Sequence, residues 1–307
     1  MISASNFMLE FYPFIFRLTT VIVAYLCQIY QLPLDKRKRR LISLFNQMKG
    51  YPMTKPLENK TALVTGASKG IGKATALRLA RDGAAVLVNY SSDKSGAEKV
   101  VAEIIKNGGK GFAVHGDLSK LENIKKMFSE IDLIFKNNSL KNINILVNNA
   151  GVFPAGDLES TTEETFDHIF DINVKGLFFT TQEAVKRMAQ GGRIINISSV
   201  VARLASSGLC AYAASKAAVD SLTMSLADEL GRKKGIHVNS VRPGLIKTEG
   251  TSGMTQDAEL VDHITKLTAL GGIGEPEDIA NTIAFLAGPD ARWVSGKTIE
   301  VSGGYYL

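Results

Sequence analysis

Cysteine is nearly absent from this chain of 307 residues, with Cys27 and Cys210 the only two. A disulfide framework is excluded, and a reducing compartment fits better than a secreted one. The four histidines and two cysteines stand at no metal-ligand spacing, so no metal is expected. A basic stripe is missing as well. The formal net charge is +6, but Arg17, Lys36, Arg37, Lys38, Arg39, Arg40 and Lys49 all lie in residues 1–52, against only Glu10 and Asp35. Residues 53–307 balance 29 basic against 28 acidic side chains, which argues against a nucleic-acid surface. Hydrophobic residues make up 45% and charged residues 21%, a globular composition that builds a core at this length without staples.

A long apolar run is also lacking. The longest near the head, Leu18–Leu34, has 17 residues, short of the roughly 20 that span a bilayer. Lys36–Arg40 follows directly, the reverse of a secretory signal. Two readings stand side by side. Residues 11–40 hold the protein at the inner face of a membrane, spanning it or lying in the interface. Alternatively, residues 1–52 precede a start at Met53, which opens MTKPLENKTALVT. Either way residues 1–52 form an apolar and basic segment, and 53–307 is expected to be a separate cytoplasmic domain.

Beyond Met53 the pattern alternates. Thr61–Thr65, Ala85–Tyr90, Gly111–His115, Asn144–Asn148, Arg193–Ser198, Ile236–Val241 and Thr298–Val301 read as short strands, apolar on both faces. Helical patterns lie between them: Ile71–Arg81 closed by Gly83, Ser95–Lys106, Leu121–Phe135, Thr162–Ala189, Leu209–Arg232 and Pro276–Ala287. Repeated βα units imply an α/β fold, a single doubly wound Rossmann-type domain with a parallel seven-stranded sheet. Residues 249–270 break the alternation, contain Gly250 and Gly253, and form a candidate mobile lid.

The first strand runs into Thr65-Gly66-Ala67-Ser68-Lys69-Gly70-Ile71-Gly72, where a helix begins. Such a turn needs glycine for positive φ and for close approach of a pyrophosphate, which the free N–H groups of the helix start then hold. TGASKGIG has the TGxxxGxG spacing of the short-chain dehydrogenase/reductases. Asn148-Asn149-Ala150-Gly151 resembles their NNAG motif, and Tyr212 with Lys216 resembles their YxxxK. Asn173, Ser198-Ser199 and Pro243-Gly244 match further motifs in order, so the resemblance covers residues 57–307.

Tyr212 and Lys216 lie one helical turn apart on one face. An ammonium beside a phenol favours phenolate, which suits Tyr212 to general acid/base work. Ser199, at the family's distance from the tyrosine, would hydrogen-bond the substrate oxygen. Ser198 would face the other side of its strand. The resemblance implies that Asn173 holds a water linking Lys216 to solvent, and that Lys216 also binds the nicotinamide ribose. Cys210 reads as a small packing residue near the site.

The resemblance likewise implies cofactor contacts at Gly66, Ser68, Lys69, Gly70, Ile71, Gly72, Asn89, Tyr90, Ser91, Asp117, Leu118, Asn149, Ala150, Gly151, Pro243, Gly244, Ile246 and Thr248. Asp117 also reads as the N-cap of the following helix. No carboxylate follows the second strand at Asn89–Ser92, and Lys69 stands where NADP-using relatives carry a cation. NADP(H) is expected over NAD(H).

The activity so implied interconverts a small-molecule carbonyl and an alcohol: a 3-oxoacyl thioester, a sugar or another small ketone. An acidic acyl-carrier partner would need a basic rim. Lys233 and Lys234 are available for it, but Gln190 stands where a cation is expected. Relatives are mostly tetramers, so a homo-oligomer is expected, packed through Thr162–Ala189, Leu209–Arg232 and the chain end. A catalytically silent scaffold is the alternative, disfavoured because Tyr212 and Lys216 are both present.

Overall fold

The seven apolar stretches pair into one parallel sheet in a computed structural model, which describes residues 55–307. In chain order the elements are β1 Thr61–Val64, α1 Gly70–Arg81, β2 Ala85–Tyr90, α2 Lys94–Lys106, β3 Lys110–His115, α3 Leu121–Asn138 and β4 Ile143–Asn148. There follow α4 Glu163–Phe170, a π-helical turn Asp171–Gly176, α5 Leu177–Lys186, β5 Met188–Ile197, α6 Cys210–Lys234 and β6 His237–Pro243. Last come α7 Ser252–Thr255, α8 Ala258–Leu267, α9 Pro276–Ala287 and β7 Thr298–Val301.

The spatial order is β3-β2-β1-β4-β5-β6-β7. Strands wind outward from β1 in one direction, then in the other from β4. The loops leaving β1 and β4 therefore part at the sheet's carboxyl edge and leave the crevice where such sheets bind ligands. The central strands are apolar on both faces because each face has its own core, whereas the edge strands β3 and β7 are only partly buried. Val64, Val88, Val147 and Ile197 pack with α1, α2 and α9. Leu63, Leu87, Leu146 and Ile194 pack with α3, α5 and α6, around the fully buried Phe128. Truncating Phe128 to alanine would cost about 3–5 kcal/mol.

Gly83 ends α1 at φ +106, and a Cβ there would meet Lys55 Cβ at 2.8 Å, so the helix stop is confirmed. The single helix expected over 162–189 is not formed. It divides into α4, the π-turn and α5, and Ala189 belongs to β5. The π-turn lets Gly176 press against the Leu118 carbonyl, where a Cβ would come within 2.6 Å. The early start of β5 follows from pairing of Met188 with Ile143 across a register shift. The stretch 249–270 is built mainly of α7 and α8 with a preceding 3₁₀ turn, Glu249–Thr251.

Among the described residues no helix is long and apolar enough to cross a membrane. The expectation for residues 11–40 and the segment 1–52 lies outside the described residues.

Candidate active site

The glycine loop is clamped from the loop that follows β4. The Thr65 hydroxyl accepts the N–H groups of Asn149 and Ala150 at 2.9 and 3.0 Å. The Asn149 amide donates to the carbonyls of Thr65 and Gly66 at 2.9 and 3.0 Å. Gly66 (φ +60) could not carry a Cβ, which would lie 3.0 Å from Ala150 Cα. The result is a side-chain-free cradle over the N-terminus of α1, whose dipole and free N–H groups attract phosphate. These residues fit a dinucleotide: backbone of Gly66–Gly72 for the pyrophosphate, with Ile71, Asn149, Gly151, Pro243, Gly244, Ile246 and Thr248 lining the adjoining cavity.

One residue in that cradle had no signal in the sequence. Glu249, the first residue of the 249–270 segment, accepts the Gly70 N–H on its carboxylate at 3.0 Å across 179 residues of chain. A carboxylate thus sits on a donor of the anion cradle.

The catalytic candidates converge at the opposite end of the cavity. Tyr212 and Lys216 lie on the first turns of α6, and Ser199 follows β5. Lys216 Nζ is buried, donates to the Ile197 carbonyl at 2.8 Å and lies 5.7 Å from the Tyr212 ring centre. Burial pushes its pKa down to about 8, opposed by the charge of Asp220 one turn on. Burial also pushes the Tyr212 phenol up to about 12, and the hydrogen bond from Ser199 only partly offsets this. The sequence suggested a phenol lowered by its lysine. Here desolvation dominates, because the ammonium is held toward the strand end and faces the ring. At neutral pH the phenol therefore keeps its proton.

Asn173 is buried in the π-turn. Its side chain accepts the Val152 N–H and donates to the Val152 carbonyl, both at 2.9 Å, and donates to Ser215 Oγ at 3.0 Å. A Cβ on Gly151 would meet Asn173 Oδ1 at 3.1 Å and Lys216 Nζ at 3.3 Å, so the two polar groups flank one glycine. Ser198, expected to face the other side of its strand, lies just past β5, lines the same cavity as Ser199 and donates its hydroxyl to the Lys216 carbonyl at 3.3 Å.

Several side chains depart from expectation. Asn89 is buried and turned inward: its oxygen accepts the Gly66 N–H at 3.1 Å and its amide donates to the Gly116 carbonyl at 3.1 Å. It shapes the glycine loop and presents no side chain to a ligand. Leu118 is likewise a core residue, able to offer only backbone. Asp117 does not cap a helix. Lys120 is the N-cap of α3, while Asp117 accepts the Ser119 N–H at 3.0 Å. Cys210 is exposed rather than packed. Lys233 and Lys234 sit at the far end of α6, roughly 30 Å from Tyr212 at 1.5 Å per residue. One pairs with Glu229 and the other donates to the Val185 carbonyl, so neither rims the cavity.

The adenosine end is as polar as foreseen. Lys69 stands exposed at the N-cap of α1 without a capping bond, and Ser91 is exposed. Tyr90 packs on the core and against the His115 ring, 5.4 Å away. The nearest carboxylate, Asp93, is taken as the N-cap of α2, accepting the Gly96 N–H at 2.9 Å.

The cavity itself measures about 330 Å³. Phe153, Val201, Leu209, Met254, Leu260 and Ile264 give it apolar walls, and the Phe153 and Tyr212 rings lie 6.0 Å apart. Glycines, a YxxxK pair, a serine and an asparagine on this topology define a dinucleotide-dependent oxidoreductase site.

Comparison with known proteins agrees. A family described as enoyl-(acyl carrier protein) reductase matches residues 66–306. An uncharacterized oxidoreductase of Methylorubrum extorquens is 45% identical over 253 residues, covering 81% of this chain and 98% of that one. The 3-oxoacyl-[acyl-carrier-protein] reductase FabG of Staphylococcus epidermidis is 40% identical over 251 residues, 81% of this chain and all of the relative. The structure of the angucycline C-6 ketoreductase LanV with bound NADP superposes with a TM-score of 0.78 at 40% identity, over 82% of this chain and 97% of that one. The chain belongs to the short-chain dehydrogenase/reductase family. It is an oxidoreductase acting on the CH–OH/C=O couple.

Proposed function

We propose that this protein is an NADP(H)-dependent ketone reductase in which Tyr212 delivers the proton. The observation that carries the reading is geometric: Ser199, Tyr212 and Lys216 line one cavity, with the Lys216 Nζ 5.7 Å from the Tyr212 ring centre. The protonated phenol is the form that can donate to a substrate oxygen, and a cation at its ring face stabilises the phenolate that donation leaves. Bound nicotinamide supplies the hydride. Ser199 hydrogen-bonds the substrate oxygen, Tyr212 protonates it, and Lys216 steadies the charge left on the phenol. Asn173 positions Lys216 through Val152 and Gly151.

Preference for NADP(H) is supported by exposed Lys69 and Ser91, and by engagement of Asp93 in a helix cap. LanV, a relative at 40% identity, was solved with NADP. The apolar walls favour a hydrophobic ketone over a sugar. A 3-oxoacyl thioester is the second reading, supported by the FabG relative.

Oligomers are supported by apolar side chains exposed on α4, α5 and α6: Phe166, Phe178 and Met224. Trp293 and Leu270 form a second exposed set. A homotetramer is the proposed state, read by light scattering. A cytoplasmic location for the domain 53–307 is part of the same proposal.

The test is oxidation of NADPH and NADH with cyclic ketones, acetoacetyl thioesters and keto-sugars. Turnover of cyclic ketones with NADPH supports the proposal. Turnover of sugars alone, or a better kcat/KM with NADH, overturns it.

A further inference from the structure

The inner face of α8 is apolar with one interruption. Leu260, His263 and Ile264, spaced three and four residues apart, all line the cavity. Asp262 and Lys266 pair with each other on the outer face at 2.6 Å. An imidazole on the cavity-facing stripe of an amphipathic helix is out of pattern unless something polar meets it. Tyr305 lines the same cavity, the other titratable side chain there besides Tyr212 and Lys216. Among the described residues neither the His263 ring nor the Tyr305 hydroxyl has a hydrogen-bond partner.

Tyr305 is held from three sides. Its N–H donates to Ser302 Oγ at 3.2 Å, its carbonyl accepts from Arg203 at 3.3 Å, and its backbone bridges to Thr268 just past the end of α8. Arg203 in turn forms a two-pronged pair with Glu300 at 2.6 and 2.8 Å. The backbone that carries the ring is therefore fixed, and a hydrogen-bonding group on a fixed support discriminates between ligands better than one on a loose loop.

We propose that His263 and Tyr305 form a second polar anchor, selecting ketones that carry another oxygen, a hydroxyl or a second carbonyl, away from the reacting one. This inference rests on the ketone-reductase reading and adds the substrate class to it. The chemistry follows from the walls. An apolar cavity binds by area but orients poorly, and a few placed polar groups fix which carbonyl faces Tyr212. A ligand without the second oxygen leaves the anchor unpaired. Because His263 is exposed to solvent at the mouth, water takes up part of that loss. The selection is therefore about tenfold, a single ordinary hydrogen bond, and not the far larger factors of a sealed site.

The experiment compares 2-tetralone with 6-hydroxy-2-tetralone in the full chain, as kcat/KM with NADPH, for the wild type, His263→Phe and Tyr305→Phe. The wild type is expected to favour the hydroxylated ketone about tenfold, and each variant to bring the ratio toward one while the rate on 2-tetralone stays within about twofold. A ratio unchanged in both variants, or parallel loss on both ketones, overturns the anchor. Binding of 2-naphthol against naphthalene, by calorimetry, reads the same site without turnover. Preference for naphthol that disappears in His263→Phe supports the anchor, and equal wild-type affinities overturn it. Absence of turnover on either ketone overturns the reductase reading instead, and the naphthol titration still decides the anchor.

Discussion

Lys216 donates to the carbonyl of Ile197 at 2.8 Å while its ammonium lies 5.7 Å from the centre of the Tyr212 ring. The lysine is thus tied to the end of β5 and offers the tyrosine a cation against its face more than a partner for its hydroxyl. Tyr212→Phe keeps this packing and removes only the transferable proton. It should lower kcat on the order of 10²–10⁴-fold while cofactor affinity is kept. Steady-state turnover together with NADPH titration checks both halves; near wild-type turnover would sink the proton-donor role.

Burial of Lys216 carries a penalty that depends on pH. Its folded pKa of about 8 lies below the ordinary 10.5, so between those values the unfolded chain holds more protons and stability rises with pH. Below pH 8 the full penalty stands, on the order of 3 kcal/mol from the size of the shift. Lys216→Met should therefore be inactive yet more stable than the wild type at pH 7. That gain should fade as the pH climbs through 8 toward 10. Urea unfolding at pH 7 and pH 9.5 measures it, and an equal or larger gain at pH 9.5 would contradict the assignment.

Lys69→Ala addresses cofactor choice. A charge-assisted hydrogen bond to a ribose phosphate contributes about 1.5–3 kcal/mol. KM for NADPH should rise roughly ten- to a hundredfold and KM for NADH should barely move. Similar increases for both cofactors would show that Lys69 acts on the loop and not on the extra phosphate.

Glu249→Gln removes an anion from the Gly70 N–H. Two anions cannot share one donor of the cradle, so the charged side chain opposes pyrophosphate binding. The variant should bind NADPH about three- to tenfold more tightly by calorimetry. Weaker binding would mean that the carboxylate supports the loop.

The sheet was legible because its central strands repeat one simple fact, an apolar run buried on both faces, and the Gly83 helix stop matched a required φ. The Ser199–Tyr212–Lys216 spacing was legible because α6 and the end of β5 are local structures. What escaped depended on contacts distant in sequence. Nothing near Asn89 signals that its amide is spent on Gly66 and Gly116. Nothing near Glu249 signals a glycine 179 residues away. The helix 162–189 failed for a related reason: its periodicity is continuous, and only the crowding of Gly176 against Leu118 reveals the extra residue in the turn. The direction of the Tyr212 shift was misjudged because a sequence shows which charge is near but not how much water is excluded.

Asp220, Arg242, Glu300 and Arg203 run as alternating charges from one turn beyond Lys216 to the carbonyls of Tyr305 and Tyr306. Partly buried pairs of this kind are little screened by salt. The serine loop, β7 and the tail should therefore open to solvent together, and their amide protons should exchange at a common rate. Helix α8 has no fully buried residue and should exchange faster, by itself. The cavity then has one wall that keeps its shape and one that yields. Substrates that differ in bulk should be accommodated by movement of Leu260 and Ile264, and the proposed selection by oxygen position should depend more on Tyr305 than on His263, which moves with α8.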